Sequence, residues 1–71
     1  MDTKQKELIA IGASVTATCV PCLKYHFEKA KAAGASDEEI AEAIQVGRAV
    51  RTGSAKSWDK DAAEVVPASV S

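Results

Sequence analysis

An all-α fold is predicted by three features of this 71-residue chain. Apolar side chains recur at the intervals of a helix face. Ser36 is followed three residues later by Glu39 at the head of such a run, the pattern of a capping box. No stretch has the alternation of a half-buried strand, and the composition is rich in Ala, Glu and Lys. The expected architecture is a helical hairpin followed by one or two further helices. It forms one domain over residues 1–66, with a mobile tail over 67–71.

The first helix is expected from about Thr3 to Ala17, with Leu8, Ile9, Ile11 and Val15 on one side. Gly12 inside it costs about 1 kcal/mol against alanine. Close approach of a second backbone would compensate, because only glycine permits it. Pro21 lacks an N–H and disfavours helical geometry at Val20, both of which suit a helix start. The second helix is therefore expected from about Pro21 to Ala33, with Leu23, Phe27 and Ala30 as its apolar stripe. Gly34 stands where a left-handed residue ends a helix. The capping box opens a third helix from about Asp37 to Arg51, whose early Asp37, Glu38 and Glu39 suit the positive end of the helix dipole. Its stripe is Ile40, Ile44, Gly47 and Val50. Ser54 to Val66 is expected to form a short fourth helix capped by Ser57 and anchored by Trp58, ended by Pro67.

One Trp, one Tyr and one Phe leave large core anchors scarce. A chain this small buries only about 60% of the surface it exposes when unfolded. A disulfide across a three-residue spacing would add little chain entropy. Association is the expected source of the missing stability, so the chain is read as a homo-oligomer.

Net charge is −1, with 9 basic and 10 acidic residues, which offers no basic patch for nucleic acid. No apolar run approaches the roughly 18 residues of a membrane span. The opening MDTKQKELIA has no apolar signal core, and two cysteines make no secreted disulfide framework. A cytoplasmic location is expected. Lys24, Lys29 and Lys31 read as a wet helix face, with a docking patch for an acidic partner as the sharper alternative.

The chemistry concentrates in Thr18 to His26, TCVPCLKYH, which holds both cysteines and the only histidine. A CxxC at a helix start brings two sulfurs within disulfide reach. Cys22 falls in the first turn, where free N–H groups and the dipole favour a thiolate. His26 lies four residues on, on the same face, where an imidazole can take or return the thiol proton. Buried inert thiols are one alternative. A zinc site is another, but Cys19, Cys22 and His26 are one ligand short of four. A thioredoxin-type site needs a strand before the CxxC, and none is visible. The residues favour a helical thiol–disulfide or peroxide-reducing site with no metal and no bound cofactor; an oligomeric scaffold with inert thiols is the non-enzymatic alternative.

Glu7, Cys19, Cys22 and His26 stand at the spacing E-x11-C-x2-C-x3-H, and Ala32 to Ile44 reads AAGASDEEIAEAI. Together these resemble the alkylhydroperoxidase D-like proteins of the carboxymuconolactone decarboxylase superfamily. The resemblance covers about Glu7 to Arg51. It implies an all-α fold assembling as trimers or hexamers, and peroxide or disulfide chemistry at a cysteine pair. By position, Cys22 would attack the peroxide, Cys19 would resolve the sulfenic acid as a disulfide, and Glu7 and His26 would relay protons. A dithiol partner such as a lipoyl-bearing protein would reduce the disulfide. Some peroxidase members carry a second histidine between the cysteines, where this chain has Pro21. Decarboxylase members generally lack the CxxC. The chain is also shorter than the two-domain-length members, which implies that neighbouring subunits supply the missing helices. Spacing alone does not pair Glu7 with His26: in a hairpin turning near Thr18, Glu7 lies roughly 16 Å back along its helix, and His26, counted from the helix start at Pro21, only about 8 Å along the other. That offset calls for a bridging water, helix tilt or a contact between subunits.

Overall fold

The computed structural model describes residues 1–53. They form three helices, α1 (Thr3–Thr16), α2 (Val20–Ala32) and α3 (Asp37–Thr52), with no strand among the described residues. The expected all-α class holds, and each predicted helix is present to within a residue at either end. The expected fourth helix at Ser54–Val66, Trp58 within it and the tail beyond Pro67 lie outside the described residues.

Each helix start is made by side-chain chemistry. Asp2 caps α1, accepting from the Gln5 N–H while the Gln5 side chain accepts from the Asp2 N–H. Ser36 and Glu39 do the same for α3, at 3.1 and 2.9 Å. The cap of α2 is a sulfur: Cys19 Sγ accepts from the Cys22 N–H at 3.2 Å, with Pro21 in the first turn.

The helix ends explain the two turns. After α2, the Ala35 N–H donates to Ala30 O and the Gly34 N–H to Lys31 O. Gly34 has φ +93°, so this is a Schellman motif with glycine at its left-handed position. Its apolar partners Ala30 and Ala35 are both buried. The end of α1 repeats the pattern: Cys19 N–H donates to Ser14 O and Thr18 N–H to Val15 O. Here the left-handed residue is Thr18, at φ 55°. A β-branched residue in that region carries strain of order 1–3 kcal/mol.

Helix α1 is central and packs against both α2 and α3. Ile11, Ala30, Ala35 and Ile40 form the buried core, with Leu8, Leu23, Ala43 and Ile44 against it. Val15 is also buried. The glycines behave as the sequence suggests. A Cβ on Gly47 would stand 2.5 Å from the Gly12 carbonyl oxygen and 2.9 Å from Val15 Cβ. A Cβ on Gly12 would stand 3.3 Å from Ala43 O. The backbones of α1 and α3 therefore approach along Gly12 and Gly47. The Thr16 hydroxyl lies 3.1 Å from Gly12 O and 3.0 Å from Gly47 O, donating its one proton to either.

Three expected stripe residues are not in this core. Ile9, Phe27 and Val50 are exposed, as is Val46. With α1 between them, α2 and α3 each bury one narrow stripe, and residues on the flank find no third helix among the described residues. Ile9, Val46 and Val50 instead line an open apolar groove of about 560 Å³ between α1 and α3. No described helix is long and apolar enough to cross a membrane.

Candidate functional site

The site grows out of the α1–α2 turn. Cys19 is held from three sides by bonds already present in the two flanking helices. Its N–H closes the end of α1 on Ser14, and its carbonyl accepts from the Leu23 N–H at 3.0 Å in the first turn of α2. Its sulfur caps α2. Cys19 is thus the last residue of one helix-ending motif and the N-cap of the next helix. Ser14, whose carbonyl receives Cys19, is itself buried, and its hydroxyl donates back to Ala10 O at 2.7 Å.

Cys22 follows one turn into α2, and the two cysteines are disulfide-bonded with their Cα atoms 5.3 Å apart. Cys22 is exposed and Cys19 half-buried. The sequence reading gave the helix N-terminal N–H groups to Cys22. The structure corrects this: the donor is Cys22's own N–H, and the sulfur that receives it is Cys19's. The reason is geometric, since an N-cap side chain folds over the first turn and meets the third N–H.

His26 lies one further turn along α2. Its Nδ1 is 2.7 Å from Glu7 Oε1, a direct contact within one chain. This overturns the expected gap. Counted from the observed ends, Glu7 lies nine residues before Thr16 and His26 six after Val20. The axial offset is then about 4–5 Å rather than about 8 Å, within reach of two extended side chains. Both side chains are largely shielded, at 15% exposed for Glu7 and 29% for His26. An ionised carboxylate only accepts, so the proton of this contact belongs to Nδ1 and leaves Nε2 as the free nitrogen of a neutral imidazole. Tyr25 stands edge-on to the imidazole with centroids 5.0 Å apart, and Lys29 lies 5.3 Å from the centroid of the Tyr25 ring.

All four residues singled out in the sequence therefore sit on the α1–α2 hairpin. Glu7 touches His26, Cys19 is bonded to Cys22, and Cys22 and His26 share a face of α2. Among the described residues, no group of three His, Cys, Asp or Glu side chains is placed to hold a metal ion.

Sequence reasoning missed what α3 brings to the disulfide. A second pocket of about 270 Å³ is lined by Cys19, Val15, Leu23 and Ile44, together with Arg48 and Arg51. Arg51 Nη1 donates to Val15 O at 3.3 Å, tying the end of α3 to the end of α1. The spacing of Arg48 and Arg51 along one side of the third helix was readable. That this side faces Cys19 depends on the α1–α3 packing.

A three-helix fold carrying a CxxC at a helix start, with a carboxylate-bound histidine one turn on, defines a small helical protein with a redox-capable cysteine pair. Residues 1–65 match the carboxymuconolactone decarboxylase family, and the chain belongs to that family. It is 36% identical over 55 residues to a protein of Paracoccus denitrificans described as uncharacterized protein 4 in the cox locus. That match covers 78% of this chain and 50% of the relative, so the chain spans about half the length of the curated relative it matches. No solved structure matches the chain significantly.

Proposed function

We propose that the protein is a CxxC-dependent thiol peroxidase of the alkylhydroperoxidase D-like kind, cycling Cys19 and Cys22 between dithiol and disulfide. One observation carries this reading: a bonded cysteine pair stands one helical turn from a histidine whose second nitrogen is held by a carboxylate. An inert pair would need neither the shielded Glu7–His26 contact nor an exposed Cys22.

In the proposed cycle His26 Nε2 first takes the Cys22 thiol proton, and the resulting thiolate attacks the terminal oxygen of a hydroperoxide. The O–O bond breaks, Cys22 becomes a sulfenic acid, and the alkoxide leaves as an alcohol with a proton from His26 Nε2. Cys19 then attacks the Cys22 sulfur, its thiol proton going to the departing hydroxide, so that the disulfide forms and water is released. An external dithiol restores the pair: its thiolate attacks the exposed Cys22 sulfur and expels Cys19 as a thiolate. The second thiol of the donor then frees Cys22 and leaves the donor oxidised. The N–H at Cys19 Sγ supports Cys19 as the leaving sulfur, because a hydrogen bond to a thiolate makes it a better leaving group. Glu7 holds the imidazole in the tautomer that leaves Nε2 free, a positioning role. A protein-borne dithiol of the lipoyl type is the proposed reductant, and the reducing cytoplasm the proposed compartment.

We also propose that the chain works as a homo-oligomer, with a second copy covering the α1–α3 groove. The small described core and the exposed Ile9, Val46 and Val50 support this.

The test of the chemistry is turnover of an organic hydroperoxide with a dithiol donor, with mass spectrometry of the cysteine pair. Cys22→Ser is expected to abolish turnover, and Cys19→Ser to leave a sulfenic acid on Cys22 that no longer closes to the disulfide. Full turnover by Cys22→Ser would refute the assignment of the nucleophile.

A further inference from the structure

The pocket beside the disulfide has a chemical character of its own. Its walls are aliphatic, made by Val15 from α1, Leu23 from α2 and Ile44 from α3. Its polar end is made by two guanidinium groups, Arg48 and Arg51, one turn apart on α3. Cys19 is part of the same lining. Neither arginine has a carboxylate within ion-pair distance among the described residues, although Lys4, Lys31 and His26 each do. Arg51 gives one N–H to Val15 O, which orients its planar head at the pocket and leaves other donors for a ligand. Arginine pairs of this kind suit a carboxylate, which a guanidinium can bind through two parallel hydrogen bonds.

We propose that this pocket binds the substrate, and that the substrate is a small amphiphile with an aliphatic body and an anionic, carboxylate-type head. The body would lie against Val15, Leu23 and Ile44, the head on Arg48 and Arg51, and the reactive end at Cys19, the sulfur of the pair that lines the pocket and is bonded to Cys22. The volume of about 270 Å³ falls just under the range of drug-sized sites, which selects a short-chain molecule. The inference rests on the proposed thiol chemistry for what the bound molecule undergoes, but the binding itself does not depend on it. The two guanidinium groups would also favour a thiolate on Cys19 once the disulfide is reduced.

The test uses the full chain in its oxidised form, with no peroxide present. Hexanoate and the neutral hexanamide are titrated separately while backbone amide resonances are followed by two-dimensional NMR. Hexanoate is expected to shift the Val15, Leu23 and Ile44 amides and to bind about tenfold more tightly than hexanamide, the difference that charge-assisted hydrogen bonds produce. Added salt should shrink that ratio. Arg48→Gln, at an exposed position that leaves the core untouched, should bring the two ligands to similar affinity, while Arg48→Lys should restore part of the preference. Equal affinities in the native chain, shifts centred elsewhere, no shifts at millimolar ligand, or an unchanged preference in Arg48→Gln would each overturn the proposal. A protein that binds hexanoate selectively but turns over no peroxide would refute the peroxidase reading and leave the pocket standing. Turnover without acid preference would do the reverse.

Discussion

Glu7 and His26 show how much chemistry one contact can carry. At 2.7 Å the carboxylate fixes which imidazole nitrogen holds the proton, and so which one is free for the proposed proton transfers. Glu7→Gln keeps the size of the side chain and can still accept at Nδ1 through its amide oxygen, but loses the charge that stabilises an imidazolium. Turnover is expected to fall by about 10²–10⁴-fold, the range of general acid–base assistance, with a shifted pH–rate profile and an unchanged fold by circular dichroism. Normal kinetics in Glu7→Gln would remove it from the mechanism. Cys19 and Cys22 make the complementary point. They are the same residue type three positions apart, yet the helix start separates them into a capping, half-buried sulfur and an exposed one. The left-handed Thr18 belongs to this scale too, since the hydrogen bonds that fix Cys19 between two helices impose that conformation on it.

At the scale of the element, the caps decide where each helix begins, and their charges make stability depend on pH. The Ser36 backbone N–H, aided by the Lys4 ammonium 3.0 Å away, holds the Glu39 carboxyl below its ordinary range. A hydrogen bond from Lys31 does the same for Asp37. Both carboxyls take up protons more readily in the unfolded chain than in the folded one. Their contribution is therefore complete above the unfolded carboxylate range and is lost as pH falls through the lower folded values. Both groups are solvent-exposed, so the effect is small. Ser36→Ala removes the oxygen that accepts the Glu39 N–H and is expected to cost about 1 kcal/mol in chemical denaturation at neutral pH. Glu39→Gln should flatten the loss of stability on acidification without abolishing the helix. A steeper acid limb in Glu39→Gln would contradict a lowered Glu39 carboxyl as its source.

Among the described residues the molecule is built around α1, which contacts both other helices. The close approach at Gly12 and Gly47 is what places α3, and with it Arg48 and Arg51, at the end of α1 near the disulfide. The same arrangement leaves the groove lined by Ile9, Val46 and Val50. The proposed assembly predicts that sedimentation velocity finds a multiple of the chain mass, with a boundary that depends on concentration. Val46→Glu places a charge at an exposed position outside the core and is expected to dissociate the assembly while leaving the helical signal intact. A native chain that sediments as a monomer at every concentration would refute the assembly.

Local signals carried most of what was legible beforehand. The Ser36–Glu39 box, Gly34, Pro21 and the helical spacing of Ile11, Val15, Ile40 and Ile44 act over a single turn, so the sequence alone determined three helices and their limits. The Asp2–Gln5 box was equally local and equally readable. The grouping of Glu7 with CxxC and His26 was visible as a family spacing, but not as a contact. Tertiary structure decided the rest. It closed the Glu7–His26 distance, because a one-residue shift at each of the two facing helix ends changes the axial offset by about 3 Å. It left Ile9, Phe27 and Val50 outside the core, because a periodic pattern says which side of a helix is apolar and not whether another element covers it. It gave the helix N–H to Cys19, because a cap is a property of where the chain turns. It also brought Arg48 and Arg51 to the disulfide, through a backbone approach that two glycines permit but that no spacing along the chain encodes.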